Sequence, residues 1–479
     1  MYKYIYLYMI SERDGGKIVF RSHGRLKAQK RHLGQNSPAQ LAGLFGKWLD
    51  LNKNFGTPKR LRLFSPSRMF WLFLFQVLSP DGSCREVLRG FLAWLAAEEG
   101  KTASVRTAAY CKARAKLPLK DLQKLNTQII RKISAMETAD DLWCGRRVKV
   151  IDGSCVSMPD TRQNQCAWPQ TKNSKPGCGF PVMRLVAIFS LASGAMLALA
   201  TGSIHDGERT LLRKLWRFLK PGDVALGDRG FCSYAEFFLL AARGVDSVAR
   251  KHQRRLSVVA KKFGKNDYLM EWAKTPVKPG WLTEKQWKRI PGRMNVREIT
   301  VVVGIKGFRT QNITIATTLT DPVAFPAQAF ADLYRKRWRV ELYLRDIKTT
   351  MGMDILRCKT PEMVAKELWM HVIAYNLIRA VMQESAILHR APPERLSFKG
   401  TLATVRQWAR VLSYAGFDEK RRLVLYGVML ACIARDTVPL RPNRTEPRAR
   451  KRRPKGYQLL NKPRKLFHEI QHRSKYERP

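Results

Sequence analysis

Apolar positions recur at helical spacing from Ser65 onward. SPSRMFWLFLFQVL, SCREVLRGFLAWLAAEEG and TASVRTAAYCKARAKLP each carry an apolar run behind a Ser or Thr that can cap it, with Gly100 as a stop and Pro118 as a terminator. They predict a small helical module over residues 61–140. Residues 1–60 are basic and only weakly patterned, and no repeat of solenoid length is visible.

From about Arg146 the period changes. RVKVIDGSCVSM reads as a strand ending near an acid, MRLVAIFSLA and AMLALATGSI as a hairpin, and GERTLLRKLWRFLK as a helix. DVALGDRGF then reads as a strand, SYAEFFLLAARG as a helix and VDSVARK as a strand. The order βββαβαβ is that of a ribonuclease H-like core: an α/β fold whose three antiparallel strands are extended by parallel ones, giving a mixed five-stranded sheet flanked by helices. Residues 254–325 are strand-rich with Pro and Gly punctuation and predict an inserted β-rich subdomain, and a long helix begins near Pro326. The expected boundaries are a basic segment 1–60, the helical module 61–140, the core in two parts, 141–253 and 326–434, around the insertion 254–325, and a basic, disordered tail 435–479.

Composition sharpens this picture through charge. Lys and Arg number 88 against 38 Asp and Glu, a formal net charge of +50 spread over the whole length. Counterion release from phosphate is the usual physical reason for so positive a field, so a polyanion is the expected partner, a ribosome-type or merely alkaline protein being the alternative. In that light Arg106, Lys112, Arg114 and Lys116, which the third helix places near a short turn, suit a helix-turn-helix that reads DNA, a solvated basic face being the alternative. With 45% hydrophobic residues the chain can build cores, and its nine cysteines contain no CxxC pair, which excludes a disulfide framework and a zinc knuckle. The apolar stretch 185–200 is too short for a membrane span and is broken at Ser193-Gly194, so a cytoplasmic protein is expected.

Asp152 and Asp228 sit at the predicted exits of the first and fourth core strands, neighbours in the proposed sheet although 76 positions apart. Two such carboxylates can share a divalent metal, and a third on a helix crossing that edge would complete a hard-oxygen site suited to Mg²⁺ or Mn²⁺. Glu341, in LYRKRWRVELYLRDIK, is the candidate. Tyr334, Arg337, Glu341, Arg345 and Lys348 fall within a helical sector of roughly 80°, beside an apolar stripe of Leu333, Val340, Leu344 and Ile347. The plainer alternative is an exposed helical face on which Glu341 pairs with Arg337 and Arg345. Two short patterns carry no weight: His468-Glu469-Ile470-Gln471-His472 matches a zinc motif but has no domain around it, and Gly304 to Gly307 is a turn.

Tyr334, Arg337, Glu341 and Lys348 at this spacing resemble the Y-R-E-K signature of bacterial insertion-sequence transposases of the DDE class. VKVIDGSCVSMPDT and PGDVALGDRGF look like that group's first-acid and second-acid blocks, and QTKNSKPGCGFPVMRLVAIFSLASGA like the stretch between them. The resemblance implies that Asp152, Asp228 and Glu341 bind metal and catalyse cleavage at transposon ends and strand transfer by a cut-and-paste route. It also implies that Tyr334, Arg337 and Lys348 contact DNA, with Arg345 of the same helical sector a further candidate, and that a homodimer synapses two terminal inverted repeats before joining target DNA. A DNA hairpin often intervenes in that group. Some members stack a flipped base on a tryptophan of the insertion, for which Trp272, Trp281 and Trp287 are all candidates. The remaining alternatives are a ribonuclease H-like nuclease or resolvase on branched DNA and a catalytically silent DNA-binding relative.

Overall fold

The computed structural model describes residues 39–56, 62–303, 311–414 and 418–439, with a few positions near 465. The basic N-terminal segment up to 38, the turn at Gly304 to Gly307, most of the tail and the His468 to His472 motif therefore lie outside the described residues.

The N-terminal helices are α1 (Ala39–Phe45), α2 (Leu51–Phe55), α3 (Pro66–Leu78), α4 (Cys84–Glu99), α5 (Ala108–Ala115) and α6 (Leu119–Ser134). The predicted caps are in place. Ser65 Oγ accepts the Arg68 N–H at the start of α3, Ser83 Oγ accepts the Glu86 N–H at the start of α4, and Gly100 ends α4 with φ 61°. These helices share one apolar core with the C-terminal helices α13 (Pro361–Leu388), α14 (Phe398–Tyr414) and α15 (Glu419–Arg435), so the region does not stand apart. Asn376, fully buried on α13, shows how: its side chain donates to Asn126 of α6 and to the carbonyl of Met196, and accepts the Met196 N–H. Arg114 departs from its expected reading role. Its guanidinium donates to Gln76 at 2.6 Å and lies over Phe73 and Tyr110, so it holds α3 and α5 together. Arg106, Lys112 and Lys116 are exposed.

The middle of the chain runs β1 (Val148–Ser157), α7 (Arg162–Ala167), β2 (Val182–Ser190), β3 (Met196–Ser203), α8 (Glu208–Leu215), β4 (Val224–Gly227), α9 (Tyr234–Ala241) and β5 (Asp246–Arg250). Then follow β6 (Ser257–Gly264), β7 (Asp267–Ala273), α10 (Glu284–Arg289), β8 (Arg293–Val303), β9 (Gln311–Thr317), α11 (Ala327–Lys336) and α12 (Arg339–Arg345). The first five strands lie in the order β3-β2-β1-β4-β5, with β1, β2 and β3 antiparallel and β4 and β5 joined parallel to β1, the arrangement the element order predicts. The break at Ser193-Gly194 is the hairpin turn, with Gly194 at φ 69°.

The sheet does not stop at five strands. β9 pairs with β5 through Val248 and Thr317, and β8, β7 and β6 follow, giving nine strands among the described residues. The inserted segment thus continues the central sheet, because β5 would otherwise leave a row of unpaired backbone groups at its edge. The long helix expected from Pro326 is interrupted. It bends at Arg337-Trp338 between α11 and α12 and widens into a π turn over Asp346–Thr350, while Leu333, Val340, Leu344 and Ile347 are buried along it as the periodicity predicts.

Candidate active site

The parallel ladder between β1 and β4 ends with Val150 opposite Leu226, and two residues further along each strand come Asp152 and Asp228. Asp228 is at a strand exit, as expected, and its Oδ1 accepts the Gly230 N–H at 2.7 Å in the turn that follows. Asp152 is not. Its strand continues to Ser157 because β2 pairs with it that far, with Ala187 opposite Asp152, so the acid stands mid-strand where β4 has already ended.

Strand alternation sorts the side chains of β1. Val150 and Val156 join the core under α12 and α13, which puts Asp152 and Ser154 on that same face, while Ile151 joins the core under α8. Burial pushes the Asp152 carboxyl from its ordinary 3.8 up to about 6; Asp228 and Glu208 push the same way, against the Gly153 N–H and Arg337. Burial also raises Glu208, which feels Asp228 as well. These effects run between three carboxylates at one edge of the sheet, Asp152, Asp228 and Glu208.

Glu341 lies on α12, which packs over β1, and its side chain is 44% exposed. Its Oε1 is 3.4 Å from the Arg337 guanidinium, the pairing of the plainer helical reading, whereas Arg345 is exposed and lies 3.9 Å from Asp346. Glu341 is drawn to Arg337, and among the described residues no three His, Cys, Asp or Glu side chains, Asp152, Asp228 and Glu208 included, are gathered closely enough to hold an ion. The donor set nevertheless fits a hard divalent cation. It is all carboxylate oxygen, and the burial and neighbouring negative charge that raise Asp152 are what a cation would offset.

Lys348 sits in the π turn and donates to Ser154 Oγ at 2.8 Å, which places its ammonium on the Asp152 face of β1. The turn is anchored by a buried ion pair between Asp346 and Arg379 at 2.9 Å. Tyr334 is 4% exposed, its ring 5.6 Å from the Arg337 guanidinium, and its hydroxyl feels Asp228. Tyr334, Arg337, Glu341 and Lys348 therefore line one flank of the carboxylate edge, although the helix carrying them is not continuous.

The three tryptophans separate by environment. Trp272 is fully buried, stacked on Phe237 with its N–H donated to Glu298, and Trp287 is half-buried under the Lys274 ammonium. Trp281 is exposed beside the edge. It lines a cavity of about 580 Å³ together with Arg184, Glu208, Arg209, Arg213 and Gly230, and the Arg213 guanidinium lies 4.3 Å from its ring centre. Neither Glu208 nor this cavity is singled out by the sequence. An acid in the first turn of an amphipathic helix is the ordinary complement of the helix dipole, and only the Gly after Asp152 hints that something approaches there.

The family model of the transposase DDE domain matches residues 143–377, the stretch that carries β1 through most of α13. The transposase InsG of insertion sequence element IS4 from Escherichia coli K12 is 28% identical over 353 residues, covering 70% of this chain and 76% of that protein. A transposase for element IS421, also from Escherichia coli, is 31% identical over 273 residues, covering 50% of this chain and 67% of the relative. Among solved structures, a piggyBac transposase synaptic complex with hairpin DNA aligns over 84% of this chain and 85% of that one, with a TM-score of 0.37 at 7% identity. The carboxylate edge lies inside the matched domain, and the chain belongs to the bacterial insertion-sequence transposases of the DDE class.

Proposed function

We propose that this transposase cuts DNA at the ends of its element and joins the freed ends to target DNA by a cut-and-paste route, using a ribonuclease H-like core formed by β1 to β5. The observation that carries the reading is the placement of Asp152 and Asp228 two residues past the end of one parallel ladder, with Glu341 on the helix over β1. Asp152, Asp228 and Glu341 would hold Mg²⁺ or Mn²⁺. Such a cation, when bound, polarises the scissile phosphate and stabilises the attacking and leaving oxygens.

The chain's own groups do the rest. Arg337 holds the Glu341 carboxylate until DNA and cation compete for the pair, so assembly of the triad is coupled to substrate. Lys348, fixed by Ser154, and the exposed Arg345 offset phosphate charge on the same flank, and buried Tyr334 presents its hydroxyl there behind Arg337. No protein hydroxyl needs to form a covalent link, because hydrolysis and strand transfer differ only in whether water or a 3′-OH attacks. Trp281 is the tryptophan placed to stack on a base displaced next to the cut, whether or not a hairpin forms. A homodimer would bring two terminal inverted repeats together.

The test is cleavage of linear DNA carrying the inverted repeats that flank the gene, with and without Mg²⁺. Glu341→Gln is expected to abolish cutting at the repeat boundary and leave end binding within a few fold, since it removes a metal ligand and no phosphate contact. Loss of binding together with cutting would contradict the assignment.

A further inference from the structure

Gly153 follows Asp152 in the middle of β1, and nothing in its backbone calls for glycine: it is paired in register with Val186, and its φ lies outside the left-handed region. A glycine inside a strand weakens it and marks a place where another group comes close. Here that group is Glu208. A Cβ on residue 153 would stand 2.5 Å from the Glu208 carboxyl carbon and 3.0 Å from Oε2, a separation real Cβ atoms do not adopt.

Glu208 is carried there by a well-anchored helix. Leu211, Leu212 and Leu215 seat α8 on the face of the sheet that Ile151, Val186 and Ile188 line, opposite the face of Asp152. The loop before α8 is tied by Arg184, which donates to the Asp206 carbonyl at 2.6 Å, and by Asp206, which accepts the Ser203 N–H. Glu208, the first residue of the helix, thereby rests in the gap over Gly153. In a chain of net charge +50, Asp152, Asp228 and Glu208 feel one another, yet none of the three forms an ion pair among the described residues. Asp152 and Asp228 accept the backbone N–H groups of Gly153 and Gly230, and Arg337 and Arg184 act on Asp152 and Glu208 from a distance.

We propose that Glu208 is a fourth carboxylate of the catalytic edge, reaching the divalent cation from the α8 side of the sheet through the gap left by Gly153. The proposal rests on the reading of Asp152 and Asp228 as metal ligands. It extends the set beyond the three acids on the α12 side, so that the cation is held from both faces while Glu341 remains free to exchange between Arg337 and the site.

Mn²⁺ binding to the full-length, DNA-free protein, measured by calorimetry, tests this without relying on activity. Asp152→Asn is expected to abolish binding and Glu208→Gln to weaken it about tenfold or more, with thermal stability in chelator no lower than wild type. Glu419→Gln, on the exposed start of α15, should bind as wild type. Gly153→Ala should weaken binding like Glu208→Gln in the native background and add nothing to Glu208→Ala, where the clash is gone. Wild-type Mn²⁺ affinity in Glu208→Gln, with Asp152→Asn inactive in binding, would overturn the proposal and leave the triad standing. An equal effect of Gly153→Ala with and without Glu208 would overturn it too. Wild-type affinity in Asp152→Asn would bring down the metal reading and the proposal together.

Discussion

Asp152 is a carboxylate kept where its charge is unwelcome, since burial, Asp228 and Glu208 together hold its pKa near 6, against 3.8 ordinarily. With the pKa raised on folding, the native protein binds more protons than the unfolded chain between those values, so stability falls as pH rises through that window and the penalty is complete above it. Asp152→Asn removes the penalty. Urea unfolding in chelator should show the variant more stable than wild type by roughly 1–2 kcal/mol above about pH 7, with the advantage shrinking toward pH 4. Equal stability of the two proteins at both ends of that range would show that the carboxylate is not crowded. Single residues also show what sequence could tell. Asp152 and Asp228 were legible as acids beside neighbouring strands and Glu341 as a helical acid, but apolar pattern alone left a turn or a salt-bridged face open for each, and the resemblance to the Y-R-E-K signature singled them out. Glu208 was not, since its partner Gly153 lies 55 positions away and the contact forms only across a packed helix and strand. Arg114 was misread for a related reason: a basic residue on a short helix carries no local sign of whether it faces solvent or, as here, Gln76 and Phe73.

The elements that build the site depend on one another through buried charge. Arg297 on β8 is fully covered and donates twice to Asp267 on β7, at 2.7 and 2.6 Å, while its other nitrogen donates to the carbonyls of Asp321 and Phe325 just before α11. It therefore fixes the strands of the insertion to the segment that launches the helix of Tyr334 and Glu341. Asp267→Ala leaves a buried guanidinium without its counter-charge, which costs about 3–5 kcal/mol. A drop of that size in urea-unfolding stability is the expected outcome, and a change below about 1 kcal/mol would show that the carbonyls suffice. The same dependence explains the helix itself. Periodicity predicted one element from Pro326 and placed its buried stripe correctly, but the bend at Arg337-Trp338 and the π turn arise from tertiary contacts, among them Asp346 with Arg379 and Lys348 with Ser154. Intrinsic propensity cannot register partners 33 and 194 positions distant.

At the scale of the whole molecule, charge is the dominant property, spread over the whole length, and residues 441–479 add 14 Lys and Arg against 3 Glu, a net +11 of the +50. Deleting 441–479 should lower affinity for random DNA and flatten its salt dependence, because phosphate neutralisation releases counterions, while preference for the element's ends over random DNA is retained. Collapse of that preference in a competition assay would place end recognition in the tail. The sequence by itself determined the alternation of helices and strands and the hairpin at Ser193-Gly194, because hydrophobic period and capping residues are local quantities, and its net charge, an additive one, pointed to a polyanionic partner. The tertiary structure decided that the insertion extends the sheet to nine strands among the described residues, that the N-terminal and C-terminal helices share one core, that Trp281 and not Trp272 or Trp287 lines the cavity with Glu208, and that Glu208 rests over Gly153. Each of these depends on which faces meet across long separations in the chain, and that is set by packing and by the need to pair every strand edge rather than by any local pattern.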